Sequence, residues 1–212
     1  GTNWGVGDIM YADLDGDGKI SNGTNKLGDT GDYRIIGNST PRFKYGITLD
    51  AAWKGFDFSI FMQGIGKRDL WLDGCYFWGA NGQGNEWQST GFAEHWDFFR
   101  PEGDPLGANL NSYYPRVNFS GDRNTKVQTR YLQNGAYLRL KNVQLGYTLP
   151  RVWTEKAGIS SVRVYVSGDN LATITSLSKI FDPEATGSLA GTGSGKLYPL
   201  QRVISVGVNV NF

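Results

Sequence analysis

The chain has 212 residues, and 21 Lys and Arg stand against 20 Asp and Glu for a formal net charge of +1, scattered without a basic face, which excludes a phosphate-backbone binder. The one cysteine, Cys75, excludes an internal disulfide and sits in an aromatic, Gly-rich stretch as a structural residue; the one histidine, His95, excludes a multi-histidine zinc site. No apolar run reaches the roughly 18 residues of a membrane helix and Gly1-Thr2-Asn3-Trp4 does not read as a secretion leader, but neither observation bears on a β-barrel, whose strands are only about 9–11 alternating residues.

Residues 1–41 read as a long irregular segment with one metal-like motif. Asp13-Leu14-Asp15-Gly16-Asp17-Gly18-Lys19-Ile20 follows the start of an EF-hand calcium loop. Carboxylates at alternating positions converge on one ion, Gly18 permits the sharp turn, the Lys19 carbonyl is the next ligand, and Ile20 packs the loop down. Calcium takes about six to eight oxygens, so these fill only part of its shell. The twelfth position is Thr24 where a bidentate acid is expected. Residues 22–28 read as an insertion, which makes Asp32 the expected closing ligand and Asp29 the second choice. The competing reading is a solvated acidic turn, because Asp-Gly pairs are common turn formers. The expected role of calcium is structural, clamping a loop.

Residues 42–66 read as a β-hairpin. Phe43, Tyr45, Ile47, Leu49, Ala51 and Trp53 alternate with polar or small residues, the period of a strand. Gly55 allows a tight turn. Phe56, Phe58, Ile60 and Met62 then share a face, with Phe61 out of phase.

Residues 67–135 form a second long loop, crowded with aromatics. Trp71, Trp78 and Trp87 are candidates for stacking on a substrate, although packing or partner contact explains most of this cluster as well. Glu94, His95 and Asp97 lie close together but carry no nucleophile motif, and an enzyme is not expected.

Residues 136–171 read as a second hairpin. Val143, Leu145, Tyr147 and Leu149 share one parity, Leu138 and Leu140 the other, so the phase slips near Lys141-Asn142; a β-bulge and inward-pointing leucines both account for it. Pro150 ends the strand. After a turn, Val162, Val164 and Val166 alternate with polar residues. A third loop, 172–200, leads to the strand 201–212, where Ile204, Val206, Val208, Val210 and Phe212 oppose Ser205, Gly207, Asn209 and Asn211.

The expectation is therefore all-β: about five strands, short turns at one end and long loops at the other, the layout of a large antiparallel transmembrane barrel. Five strands cannot close a barrel, so the remaining strands are expected elsewhere, on this protein or on another chain. A soluble calcium-dependent carbohydrate-binding β-sandwich is the alternative, although it expects turns every 8–12 residues or so.

Several segments follow one another in a fixed order: Gly7-Asp8-Ile9 with the Tyr11–Ile20 stretch, Ile36-Gly37-Asn38-Ser39-Thr40-Pro41 leading to Phe43 and Tyr45, and Gly135-Ala136-Tyr137-Leu138-Arg139-Leu140-Lys141-Asn142-Val143 through Pro150. Val164-Tyr165-Val166-Ser167-Gly168-Asp169-Asn170-Leu171, Asp182-Pro183-Glu184 and the strand ending in Phe212 come next. This ordered set resembles the C-terminal part of SusC/RagA-like TonB-dependent outer-membrane transporters. The resemblance implies the last strands of a 22-stranded barrel in the outer membrane of a bacterium. It implies TonB-driven import of oligosaccharides or peptides and a SusD-like surface lipoprotein as partner. A plug and a TonB-contacting segment are expected outside this sequence. It also implies that Phe212 is read by the barrel assembly machinery, and an anchor in outer-membrane lipid is the second reading of that residue.

Overall fold

The computed structural model describes residues 4–82, 91–119, 123–186 and 198–212. These fall into two compact units, one drawn from 4–37 and 71–132, the other from 38–70, 133–186 and 198–212.

The second unit is an antiparallel sheet. Its strands are β1 (Phe43–Trp53), β2 (Phe56–Lys67), β5 (Tyr137–Thr148), β6 (Ser161–Thr175) and β7 (Val203–Asn211), in that spatial order. A two-stranded ladder, β3 (Asp69–Leu70) with β4 (Gln133–Asn134), stands at the root of the long loop. β1 and β2 meet at Lys54-Gly55, both at positive φ, as a two-residue hairpin turn of the right-handed-twist type requires. β5 and β6 are joined by the short helix α2 (Arg151–Thr154) and a single 3-10 turn, Glu155–Ala157. The long connections leave from the opposite end.

Register assigns every strand residue to a face. Trp53, Phe56, Tyr147, Val164 and Val208 lie side by side across all five strands; so do Ala51, Phe58, Leu145, Val166 and Val206, and then Leu49, Ile60, Val143, Gly168 and Ile204. The opposite face carries rows of a different character, such as Asp50, Ser59, Gln144, Ser167 and Ser205. The alternation in each strand is thus one continuous two-faced wall. All five strands lie in this one sheet, and no comparable second sheet packs across it among the described residues, so the β-sandwich alternative is not met.

The phase slip in β5 is a bulge. Phe61 pairs Asn142 and Met62 pairs Leu140, so Lys141 is skipped by β2; opposite it, β6 passes from Asp169 to Ala172. Asn170 adopts φ 51 there, a left-handed conformation that asparagine tolerates better than most residues. The bulge places Leu138 and Leu140 in register with Gly64 and Met62, on the same face as Val143 and Leu145. Of the two sequence explanations, the inward-pointing one is therefore set aside. β6 runs on through the bulge to Thr175, past the expected end at 171.

The first unit has its own aromatic core. Phe77 and Trp78, on the helical turn α1 (Cys75–Trp78), pack edge-on against Tyr131, and Phe77 also meets Tyr114. All four are buried, together with Leu72.

Candidate functional site

The acidic loop folds around its own carboxylates. Asp13 accepts from the N–H groups of Gly16 (2.6 Å) and Gly18 (2.8 Å), and both glycines have φ near +80°, the conformation that lets the chain curl over the side chain. Asp32 reaches back across the loop, accepting from Leu14 N–H at 2.6 Å and Ser21 N–H at 2.7 Å. One oxygen each of Asp13, Asp15 and Asp32 lies within 4.8 Å of the others. Asp17 is outside this group and caps Lys19 N–H at 2.7 Å. Asp29 serves the intervening turn, held by Thr24 through both its N–H (3.1 Å) and its hydroxyl (2.7 Å).

The electrostatics of the cluster follow from these contacts. The Asp17 N–H works to lower the Asp15 pKa, but desolvation and the facing carboxylates of Asp17, Asp32 and Asp13 outweigh it, and Asp15 stands above its ordinary value. Asp32 stands below its own, because the N–H groups of Leu14 and Ser21 stabilise its charged form. Three converging carboxylates, with Asp15 raised by desolvation and by the other acids, form a set of hard oxygen donors, the ligand type that calcium takes.

The aromatic loop uses its rings for packing. Trp78 is 2% exposed and its indole N–H donates to the Leu72 carbonyl at 3.0 Å, so it has no face for a ligand. Trp71 is half-buried with its ring centroid 5.8 Å from that of Trp78. Trp87 lies outside the described residues. His95 accepts from Phe92 N–H at Nδ1, and its Nε2 faces the carbonyls of Tyr76 and Phe77, each at 3.1 Å. Asp97 accepts from the Asn109 amide and from Tyr113 N–H. His95 and Asp97 thus build the loop. Burial pushes the Tyr114 hydroxyl well above its ordinary pKa, as expected for a ring in this core.

Three charged clusters escaped the sequence reading of sites. The Asp8 side chain is buried beside Arg116 (2.6 Å) and Arg123 (3.6 Å), with Asn124 donating to it at 2.9 Å. Burial pushes its pKa up, but hydrogen bonds from Arg116, Asn124 and Gly5 N–H more than offset that and hold it low. On the polar face of the sheet, Arg163 pairs with Asp57 and lies over Tyr165. Above the bulge, Arg139 donates to Asp182 at 2.6 Å and Lys141 to Glu184 at 3.0 Å, fastening the segment after β6 onto β5. Lone acids and bases far apart in sequence gave no spacing signal for these pairs. Asp8, Arg139, Lys141, Tyr165 and the Asp182-Pro183-Glu184 run lay within segments that carried the family resemblance, whereas Asp57, Arg163, Arg116, Arg123 and Asn124 did not.

Phe212 follows β7 and is exposed; the preceding Asn211 carbonyl accepts from Ser160 N–H at 2.8 Å.

The chain is 33% identical over 216 residues to TonB-dependent receptor P3 of Formosa agariphila, covering 97% of this chain and 19% of that protein. TonB-dependent receptor P26 of the same organism is 30% identical over 217 residues, covering 98% of the chain and 20% of the relative. No family model matches. Among solved structures, the RagAB peptide transporter superposes with a TM-score of 0.64 at 28% identity, covering 84% of this chain and 18% of that one. The chain belongs to the SusC/RagA-like TonB-dependent receptors. A second RagAB structure, the peptide importer in its closed-closed state, gives a TM-score of 0.63 over the same shares. This SusC/RagA-like segment spans about a fifth of the length of the relatives it matches, 19% and 20%. In that family setting the two-faced sheet is a stretch of barrel wall.

Proposed function

We propose that this chain supplies five consecutive wall strands, and the loops between them, of a bacterial outer-membrane importer that takes up oligosaccharides or peptides through TonB together with a SusD-like surface lipoprotein. The observation that carries the reading is the two-faced sheet. Its apolar rows run unbroken across five strands, and Val206 is 80% exposed on them. An apolar face of this extent is an aggregation hazard in water and the natural surface of a strand wall in lipid. The polar rows then face the lumen, Phe212 serves the assembly machinery, and the plug and the TonB contact lie outside these residues. The half-buried Trp71 remains a candidate substrate contact.

The reading extends to calcium, held by Asp13, Asp15 and Asp32 as a structural clamp on the loop. Asp17, which lies outside the converging group, and the Lys19 carbonyl are further ligand candidates.

The decisive experiment is extraction of the native complex from outer membranes in detergent, with its component chains identified by mass spectrometry, followed by uptake assays with oligopeptides and oligosaccharides in cells with and without the receptor. Co-purification of a large barrel chain containing this sequence with a lipoprotein, and loss of one class of uptake on deletion, supports the reading and names the substrate class. A monodisperse species that stays in solution without detergent overturns it.

A further inference from the structure

We infer that α2, in the short connection between β5 and β6, is an interfacial anchor that seats Val152 and Trp153 at the headgroup level of the lipid leaflet at the short-turn end of the wall. This rests on the membrane reading above. Val152 is 65% and Trp153 67% exposed, while the next residue, Thr154, is buried and turns its hydroxyl back to the Arg151 carbonyl at 3.2 Å. The turn therefore buries a small polar residue and leaves its two bulky apolar ones outside, the reverse of what a turn in water does. The conformation is held, not loose: Trp153 N–H donates to Pro150 O at 2.9 Å, Ile159 N–H to Thr154 O at 3.2 Å, and Leu149 N–H to Val162 O at 2.9 Å at its base.

The occupant follows from continuity. The strand row nearest this end begins Trp53, Phe56, Tyr147, and the Phe56 and Tyr147 rings are in contact with centroids 4.5 Å apart. That row opens with three aromatics, where the next has one, Phe58, and the third none, a concentration expected at a lipid–water boundary. α2 begins at the same end of β5, with only Leu149 and Pro150 between it and Thr148, so its exposed pair stands at the depth where this belt ends. Arg151 and Lys156 flank the pair, both exposed, and long cationic side chains at this level reach the headgroups while their stems cover apolar surface. Tryptophan beside a cation is the composition of interfacial segments, and a leaflet boundary is the partner that takes both.

The test uses the full-length receptor, with Cys75→Ser and its other cysteines removed, reconstituted in phospholipid vesicles. A bimane label is placed by Trp153→Cys, by Leu145→Cys on the apolar face of β5, or by Leu27→Cys on the exposed acidic loop. The expected result at 153 is a blue-shifted emission that is lost in vesicles of brominated phospholipid, as at 145, and is insensitive to aqueous iodide, to which position 27 responds. Quenching by lipid at 145 but by iodide at 153 overturns the anchor and leaves the membrane reading standing. Quenching by neither at 153, with lipid quenching at 145, shows a protein partner covering the turn and overturns the anchor equally. Absence of lipid quenching at 145 removes the membrane reading, and the anchor with it.

Discussion

Arg139 and Asp182 are both almost fully buried, with side chains 5% and 8% exposed, and neither makes sense without the other. Removing one partner of a buried pair strands the other charge, at a cost of about 3–5 kcal/mol. Arg139→Met should therefore release the 176–186 segment from β5, read as faster proteolysis of that segment and a lower unfolding temperature in detergent. Lys141→Met alone should be milder, because Arg139 keeps Asp182 and still stands 3.6 Å from Glu184. The same pair sets a pH dependence. Burial pushes the Asp182 carboxyl up, but the hydrogen bonds from Arg139, Glu184 N–H and Leu200 N–H prevail and hold it below the ordinary 3.8. A carboxylate lowered in the folded state adds stability that is complete above its unfolded value and is lost as pH falls through the folded one. Segment 176–186 should thus stay docked at neutral and mildly acidic pH and loosen only below about 3.8. Loosening already at pH 6 assigns the docking to some other group.

The acidic loop gives a second prediction at this scale. If Asp13, Asp15 and Asp32 hold calcium, the ion should protect residues 13–32 from proteolysis, chelation should remove the protection, and Asp15→Asn should abolish the response. Asp32→Asn should weaken the loop even without calcium, since its carboxylate also takes Leu14 and Ser21 N–H groups. Protection unchanged in Asp15→Asn sinks the clamp.

Strands were the most legible elements, because a period of two with one apolar face is written in local sequence and register then only has to match neighbours. The bulge was half legible: a parity slip at Lys141-Asn142 was visible, but whether apolar residues change face is decided by the pairing partner, Met62 against Leu140. The three charged clusters were illegible, because Asp57 and Arg163 or Asp8 and Arg116 come together through topology and no spacing rule connects them. In the acidic loop, the convergence of Asp32 with Asp13 and Asp15 lay along the motif's own logic; Asp17 departs from it by capping Lys19. The elements also predict their own tolerance. A lysine at Val206 or Leu49 should cost about 2–4 kcal/mol at mid-membrane, whereas Ser205 and Asn209 on the polar face should accept polar changes. Heat resistance of the folded barrel on unboiled gels measures both. Gly207→Ala should be the exception on the polar face: a methyl there would run into the Tyr165 ring and hydroxyl, which would have to move.

At the scale of the whole molecule, the two units have separate cores. The sheet unit is held by continuous ladders, while the loop unit depends on the ring cluster of Phe77, Trp78, Tyr114 and Tyr131. Truncating a buried aromatic costs about 3–5 kcal/mol, and a loop unit of this size has little stability beyond that to lose. Trp78→Ala removes the ring contacts to Tyr131, Phe77 and Trp71 and the hydrogen bond to Leu72 at once. Hydrogen exchange in the detergent-solubilised receptor should then speed up across the described parts of 71–132, by local opening, while the amides of β2, β5 and β6 keep wild-type rates. Independent opening of this kind would let the loop unit be remodelled without disturbing the strands. Equal acceleration in the strands makes the two units one cooperative body, and the loop could then not be remodelled independently of the wall.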